Sequence, residues 1–142
     1  MDEATREFIR ERRVARLATA DARSQPSVVP ICYVFDGEHI YSPLDEKPKS
    51  VSPASLMRVR NIDVNPQVAL IIDDYSEDWS KLCFVLLSGT AEIIEPDRDQ
   101  QEHARAVALL REKYPQYRAM AIDRRAMIRI RPVRMKVWNA GE

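Results

Sequence analysis

Glycine is scarce in this chain: 142 residues contain three, Gly37, Gly89 and Gly141. A dinucleotide-binding turn and a Walker loop both need several glycines within a few residues, so that backbone N–H groups can reach the phosphates. Both are excluded, and any phosphate bound here has to be held by side chains. Cysteine and histidine are as rare, at Cys32, Cys83, His39 and His103, with no HExxH or paired CxxC spacing. A structural zinc site is therefore excluded. The cysteines read as buried strand residues. The histidines read as surface residues, one beside a hairpin and one on an amphipathic helix. With 22 basic and 22 acidic side chains there is no charge excess, which argues against a general nucleic-acid binder. No run approaches the roughly 20 apolar residues that span a bilayer. The opening MDEATREFIRERR is charged throughout, unlike a signal peptide. A soluble, cytoplasmic protein is expected. No Ser-His-Asp, Cys-His or paired-carboxylate arrangement supports hydrolysis, and no side chain is singled out as catalytic.

What is present fits one domain over residues 1–142, with 45% hydrophobic residues to fill a core. Residues 3–13 predict a short surface helix. Strands are predicted at 14–20, at 27–35 before the Asp36-Gly37 hairpin signal, and at 39–44. Residues 45–53 hold too many prolines, serines and charges for a strand and read as a loop. A helix over 54–64 buries Leu56, Val59 and Ile62, which recur every third residue, and Pro66 ends it. Strands at 67–73 and 81–94 are almost continuously apolar, so both of their faces should be covered, one by a core and one by a helix or another subunit. Residues 97–113 predict an amphipathic helix with Ala104, Val107, Ala108, Leu110 and Tyr114 on its apolar face. In the final strand Ile128 and Ile130 share one parity while Val133, Met135 and Val137 share the other, which requires a bulge at Pro132-Val133. Mainly β with helices, the chain reads as a small β-barrel with helices outside.

The polar residues cluster around residues 42–61. Ser42 ends a strand, Lys47 and Lys49 lie in the loop, and Arg58, Arg60 and Asn61 follow on the helix. Arg58 and Asn61 are three apart and share a face. Together with the lysines they form either a side-chain anion cradle or a solvated basic surface. Trp79, in the acidic stretch DDYSEDWS, either stacks on a flat ring or covers a barrel end. Trp138 has the same two readings, a ring contact or a lock on the tail. Arg129, Arg131, Arg134 and Lys136 alternate with apolar positions and are expected to face solvent.

The segments LAT, PSVVPICYVFDG, DEKPK, RVRNI, NPQVALIID, DYSEDWSKL and SGTAEII, in this order over roughly residues 10–95, resemble the pyridoxamine 5′-phosphate oxidase-like, flavin-binding split-barrel superfamily. DEKPK and DYSEDWSKL are most similar to the branch of small proteins that use the deazaflavin coenzyme F420. The resemblance implies a homodimeric split β-barrel with its cofactor in a cleft between subunits. Val29, Pro30 and Ile31 would meet the ring edge through backbone groups. Lys47 and Lys49, with Ser42, Arg58 and Asn61 nearby, would hold the phosphate or anionic tail, and Trp79 would approach the partner's site. Cys83-Phe84 stands where relatives often have a bulky aromatic pair. The implied activity is hydride transfer from F420 to a small electron-poor organic substrate. The alternatives are an FMN-dependent oxidase or reductase of the same fold and a non-catalytic flavin or haem carrier.

Overall fold

The computed structural model describes residues 1–44 and 56–141, so the expected loop over 45–53, with Lys47 and Lys49, lies outside the described residues. Helix α1 (Glu3–Glu11) opens the chain, its first turn capped by Asp2, whose Oδ1 accepts from the Thr5 N–H at 2.8 Å. Strands β1 (Ala15–Ala20), β2 (Pro26–Ile31), β3 (Val34–Phe35) and β4 (Ile40–Pro43) follow, then helix α2 (Met57–Val64). Strands β5 (Gln67–Asp74) and β6 (Cys83–Ile94) precede helix α3 (Gln100–Lys113) and the closing strand β7 (Met127–Asn139).

All strand pairs are antiparallel, in one sheet of order β2-β1-β5-β6-β7-β4-β3. Laid flat, seven strands would put the two edges about 28 Å apart. Yet the edge strands β2 and β3 are joined by Cys32 and Tyr33 alone, and three Cα steps span at most about 11 Å. The sheet is therefore curled into a half-barrel. The expected strand over 27–35 is broken here because the backbone of Tyr33 leaves the ladder and bonds to α3 and the residue beyond it instead. Cys32 sits at this corner and Cys83 at the start of β6, both half-buried rather than buried within strands.

Leu17, Tyr33, Leu70, Leu87, Ile128 and Ile130 fill the inside of the curl. Leu56, Val59 and Ile62 of the α2 region pack against it, as their spacing predicts. A second core lies under α3, between Val34, Tyr41, Ile94, Leu110, Tyr114 and Met127. The buried face of α3 is His103, Ala106, Val107 and Leu110, whereas Ala104 and Ala108 are exposed. This corrects both the expected face and the expected surface position of His103. The His103 Nε2 lies 2.6 Å from the Arg125 carbonyl oxygen, and a bonded imidazole is inexpensive to bury. His39 is half-buried beside the hairpin.

The bulge on β7 is where parity places it. Ser88 pairs with Arg134 and Gly89 with Pro132, leaving Val133 unopposed. Gly89 is needed at this crossing, since a Cβ there would come 2.0 Å from the Arg131 carbonyl oxygen. Arg131, Arg134 and Lys136 face solvent, but Arg129 does not: it is half-buried between Glu102 Oε1 at 2.6 Å and Glu92 Oε2 at 2.9 Å. The inner faces of β5 and β6 are buried through Val68, Leu70, Ile72, Val85 and Leu87. Their outer faces carry Ile71, Phe84 and Leu86, continued on β7 by Trp138, which stacks on Phe84 at 5.7 Å.

Candidate functional site

The β2 edge follows from its prolines. Asp21 N–H bonds the Gln25 carbonyl at 3.1 Å, and counting along the register makes Thr19–Ser27, Leu17–Val29 and Ala15–Ile31 the hydrogen-bonded pairs. Pro26 and Pro30, which have no N–H to give, occupy the positions facing away from β1. That outer edge therefore offers the Val28 N–H and the carbonyls of Pro26, Val28 and Pro30.

At the end of this edge lies a cavity of about 250 Å³ lined by Val14, Pro30, Ile31, Cys32, Ser42, Pro43 and Arg58. Ser42 is buried and its hydroxyl donates to the Cys32 carbonyl at 2.8 Å, tying β4 to the corner. Arg58 enters from the first turn of α2, half-buried. None of the described lining residues is a carboxylate. A guanidinium fork, a hydroxyl and an apolar wall suit an anion carried on a flat organic body. The volume is below the roughly 300–1,000 Å³ of sites that enclose a whole drug-sized ligand. One chain can thus enclose only part of a flavin-sized molecule.

The structure brings Pro30, Ile31, Ser42 and Arg58 together. Val29 lies one position back, its backbone paired with Leu17 and its side chain half-buried against the core. Asn61 is buried and its Nδ2 donates to Thr19 Oγ1 at 2.9 Å; it opens on a separate cleft with Met57, Arg60, Asp21 and Arg23. Trp79 sits in a short 3-10 turn between β5 and β6, 69% exposed and away from the cavity. Val14, Cys32 and Pro43 were not anticipated. The signal that would find them is the corner at Cys32-Tyr33, which an unbroken apolar run conceals.

Behind the corner is a buried polar cluster that sequence reasoning also missed. The Tyr33 N–H donates to the Tyr114 hydroxyl at 3.1 Å, and that hydroxyl lies 2.7 Å from the Arg13 carbonyl and 3.0 Å from the Tyr33 carbonyl. Lys113 Nζ donates to the Arg12 carbonyl at 2.6 Å and the Tyr33 carbonyl at 3.0 Å, and lies 4.0 Å from the centre of the Tyr33 ring. Burial, with Arg13 nearby second, lowers the Lys113 ammonium to about 8, and burial pushes the Tyr114 hydroxyl up to about 12. The largest cleft, about 750 Å³, lies elsewhere. Val59, Ile62 and Ala91 line it together with arginines and carboxylates, and this mixed charge singles out no ligand.

The family model described as pyridoxamine 5′-phosphate oxidase matches residues 1–139. No curated protein matches the chain. Among solved structures, the heme storage protein HutZ from Vibrio cholerae is similar at 19% identity, covering 97% of this chain and 93% of its own, with a TM-score of 0.74. A conserved hypothetical protein from Mycobacterium tuberculosis is similar at 24% identity, with coverages of 99% and 86% and a TM-score of 0.77. An F420 reductase is similar at 21% identity, with coverages of 96% and 98% and a TM-score of 0.67. These likenesses carry the fold. With a family model matched along almost its whole length and the same curled sheet, the chain belongs to the pyridoxamine 5′-phosphate oxidase family.

Proposed function

We propose that this protein is an oxidoreductase that binds coenzyme F420 and reduces a small, electron-poor organic substrate, working as a homodimer. The observation that carries this reading is the meeting of Arg58 with Ser42, Pro30 and Ile31 around one cavity whose described lining residues include no carboxylate. Arg58 binds the cofactor's anionic part, joined by Lys47 and Lys49 from the segment between β4 and α2. The β2 edge at Val28, Val29, Pro30 and Ile31 orients the ring edge, and Ser42 fixes the cavity wall. Asn61 anchors α2 to β1 and so holds Arg58 in place. Trp79 of each protomer approaches the other protomer's site. When bound, the deazaflavin supplies a hydride, so the protein's task is to bind it, expose one ring face and exclude water. The similarity to an F420 reductase supports the choice of cofactor. The small cavity and the apolar outer-face residues Ile71, Phe84, Leu86 and Trp138 support a site completed by a second copy.

FMN is the second reading, favoured by the compactness of the cavity, which suits a single phosphate. Equilibrium titration of cofactor-free protein with F420 and FMN separates the two. The proposal expects tighter binding of F420, with the steeper loss as salt rises, because an extended anionic tail makes more screened contacts. Tighter FMN binding at every salt concentration overturns the cofactor choice. F420 binding without reduction of any enone, quinone or nitro compound favours a carrier.

A further inference from the structure

Lys113 is an unusual residue to find behind a cavity wall. Its ammonium is bonded to the carbonyls of Arg12 and Tyr33. Arg12 lies two residues before Val14, and Tyr33 follows Cys32; Val14 and Cys32 both line the cavity that holds Arg58. The ammonium thus bonds the chain next to two of the segments that wall the cavity, without lining the cavity itself. Mechanically it is redundant, since the Tyr114 hydroxyl already ties Arg13 to Tyr33. Partial burial and the neighbouring Arg13 both work against its charge. A disfavoured, half-buried charge beside a cavity calls for a functional account.

We propose that Lys113 strengthens anion binding at the Arg58 cavity by placing a positive charge behind the Val14–Cys32 wall, acting through the field rather than by contact. The inference rests on the proposed cofactor site but concerns a residue that does not touch it. An ammonium and an anion on opposite sides of a thin protein wall attract in a medium far less polarisable than water. Other groups face Lys113. From the α1–β1 connection, the Arg13 guanidinium donates to the Lys113 carbonyl at 2.7 Å and repels the ammonium. Arg12 is turned away, bonded through Nε and Nη2 to Asp74 at 2.7 and 2.6 Å. From the corner, the Tyr33 ring faces Nζ, and Cys32 interacts favourably with it. From the chain just beyond α3, the Tyr114 ring lies 5.4 Å from Nζ. Among the described residues no carboxylate faces the ammonium, and an anionic cofactor would balance it.

Binding is then linked to proton uptake: the anion favours the charged lysine, so affinity falls as pH rises through about 8. The test is FMN and F420 affinity between pH about 7 and about 9, for wild type, Lys113→Met and Lys113→Arg. Wild-type affinity should fall about fivefold across that range. K113M, with the wall still tied by Tyr114, should bind about tenfold more weakly at the lower pH and show a flat profile. K113R keeps its charge and should hold high affinity throughout. A flat wild-type profile, or wild-type affinity in folded K113M, overturns the proposal. A second readout needs no cofactor. Inorganic phosphate should bind more weakly to K113M than to wild type at the lower pH. Equal phosphate affinity overturns the proposal. If neither cofactor binds wild type but phosphate binding weakens in K113M, the cofactor reading fails while the field at the wall stands.

Discussion

Two parts of the sheet are finished in opposite ways. At the Cys32–Tyr33 corner the ladder breaks, yet both backbone groups of Tyr33 are bonded, to Tyr114 and Lys113, and its hydroxyl donates to the Ile9 carbonyl at 2.5 Å. In the far half of β7, from the bulge at Val133 onward, the ladder runs on but is one-sided. β4 pairs with β7 only over Met127–Ile130, and beyond it Val133, Met135, Val137 and Trp138 are exposed. The corner is costly to build and complete within one chain. The strand end is cheap to build and incomplete, and its apolar side chains are what a second copy would cover. The difference separates what this chain does alone from what the proposed homodimer adds.

The sharpest way to break that contrast is in the core behind the corner. Leu110→Ala should cost about 2–5 kcal/mol of unfolding free energy in denaturant titration, since the fully buried side chain leaves a cavity. On the outer face of β6, beside Phe84 and Trp138, Leu86→Asp should leave the fold intact and turn the proposed dimer into monomer at micromolar concentration. An obligate interface of about 2,000 Å² does not tolerate a buried unpaired charge. Light scattering reads the change, and a wild-type monomer would remove the contrast altogether. Tyr114→Phe should cost about 1–3 kcal/mol, because the buried Tyr33 N–H loses its acceptor.

A further effect is the pH dependence contributed by Lys113. In the folded protein its ammonium loses its proton near about 8, against about 10.4 in an unfolded chain. Between those values the unfolded state binds more protons, so this group makes stability rise with pH. Comparing urea midpoints of wild type and K113M across that window isolates it. Anion affinity is expected to move the opposite way, which is how one buried charge can work against the empty fold and for its ligand.

How far the sequence could be read depended on whether the relevant physics was local. The α2 face, with Val59 and Ile62 buried, follows from spacing alone. So does the bulge at Val133, because a parity switch has one geometric solution. The Asp36-Gly37 turn is equally direct, with Gly37 at φ +98°. The α3 face was misread because apolarity was used as a proxy for burial, whereas His103 is buried through a bond to residue 125, far along the chain. Ser42 and Arg58 were legible as a group because they flank one short polar stretch, whereas Pro30 entered only through the family resemblance. Asn61 shares a side of α2 with Arg58 by count, but Thr19 draws it into the core. Nothing in the place of Lys113 at a helix C-terminus signals its contacts. Only the curl of the sheet brings the Tyr33 carbonyl to it.

The central claim is that Arg58 belongs to a cofactor site and not to a solvated basic surface. The most direct measurement is equilibrium binding of F420 and FMN to wild type and to Arg58→Glu, with thermal unfolding of the cofactor-free proteins alongside. The account predicts a loss of more than about 2 kcal/mol in binding, about thirtyfold, with unfolding changed by less than about 0.5 kcal/mol. Unchanged affinity in a folded Arg58→Glu protein would contradict it.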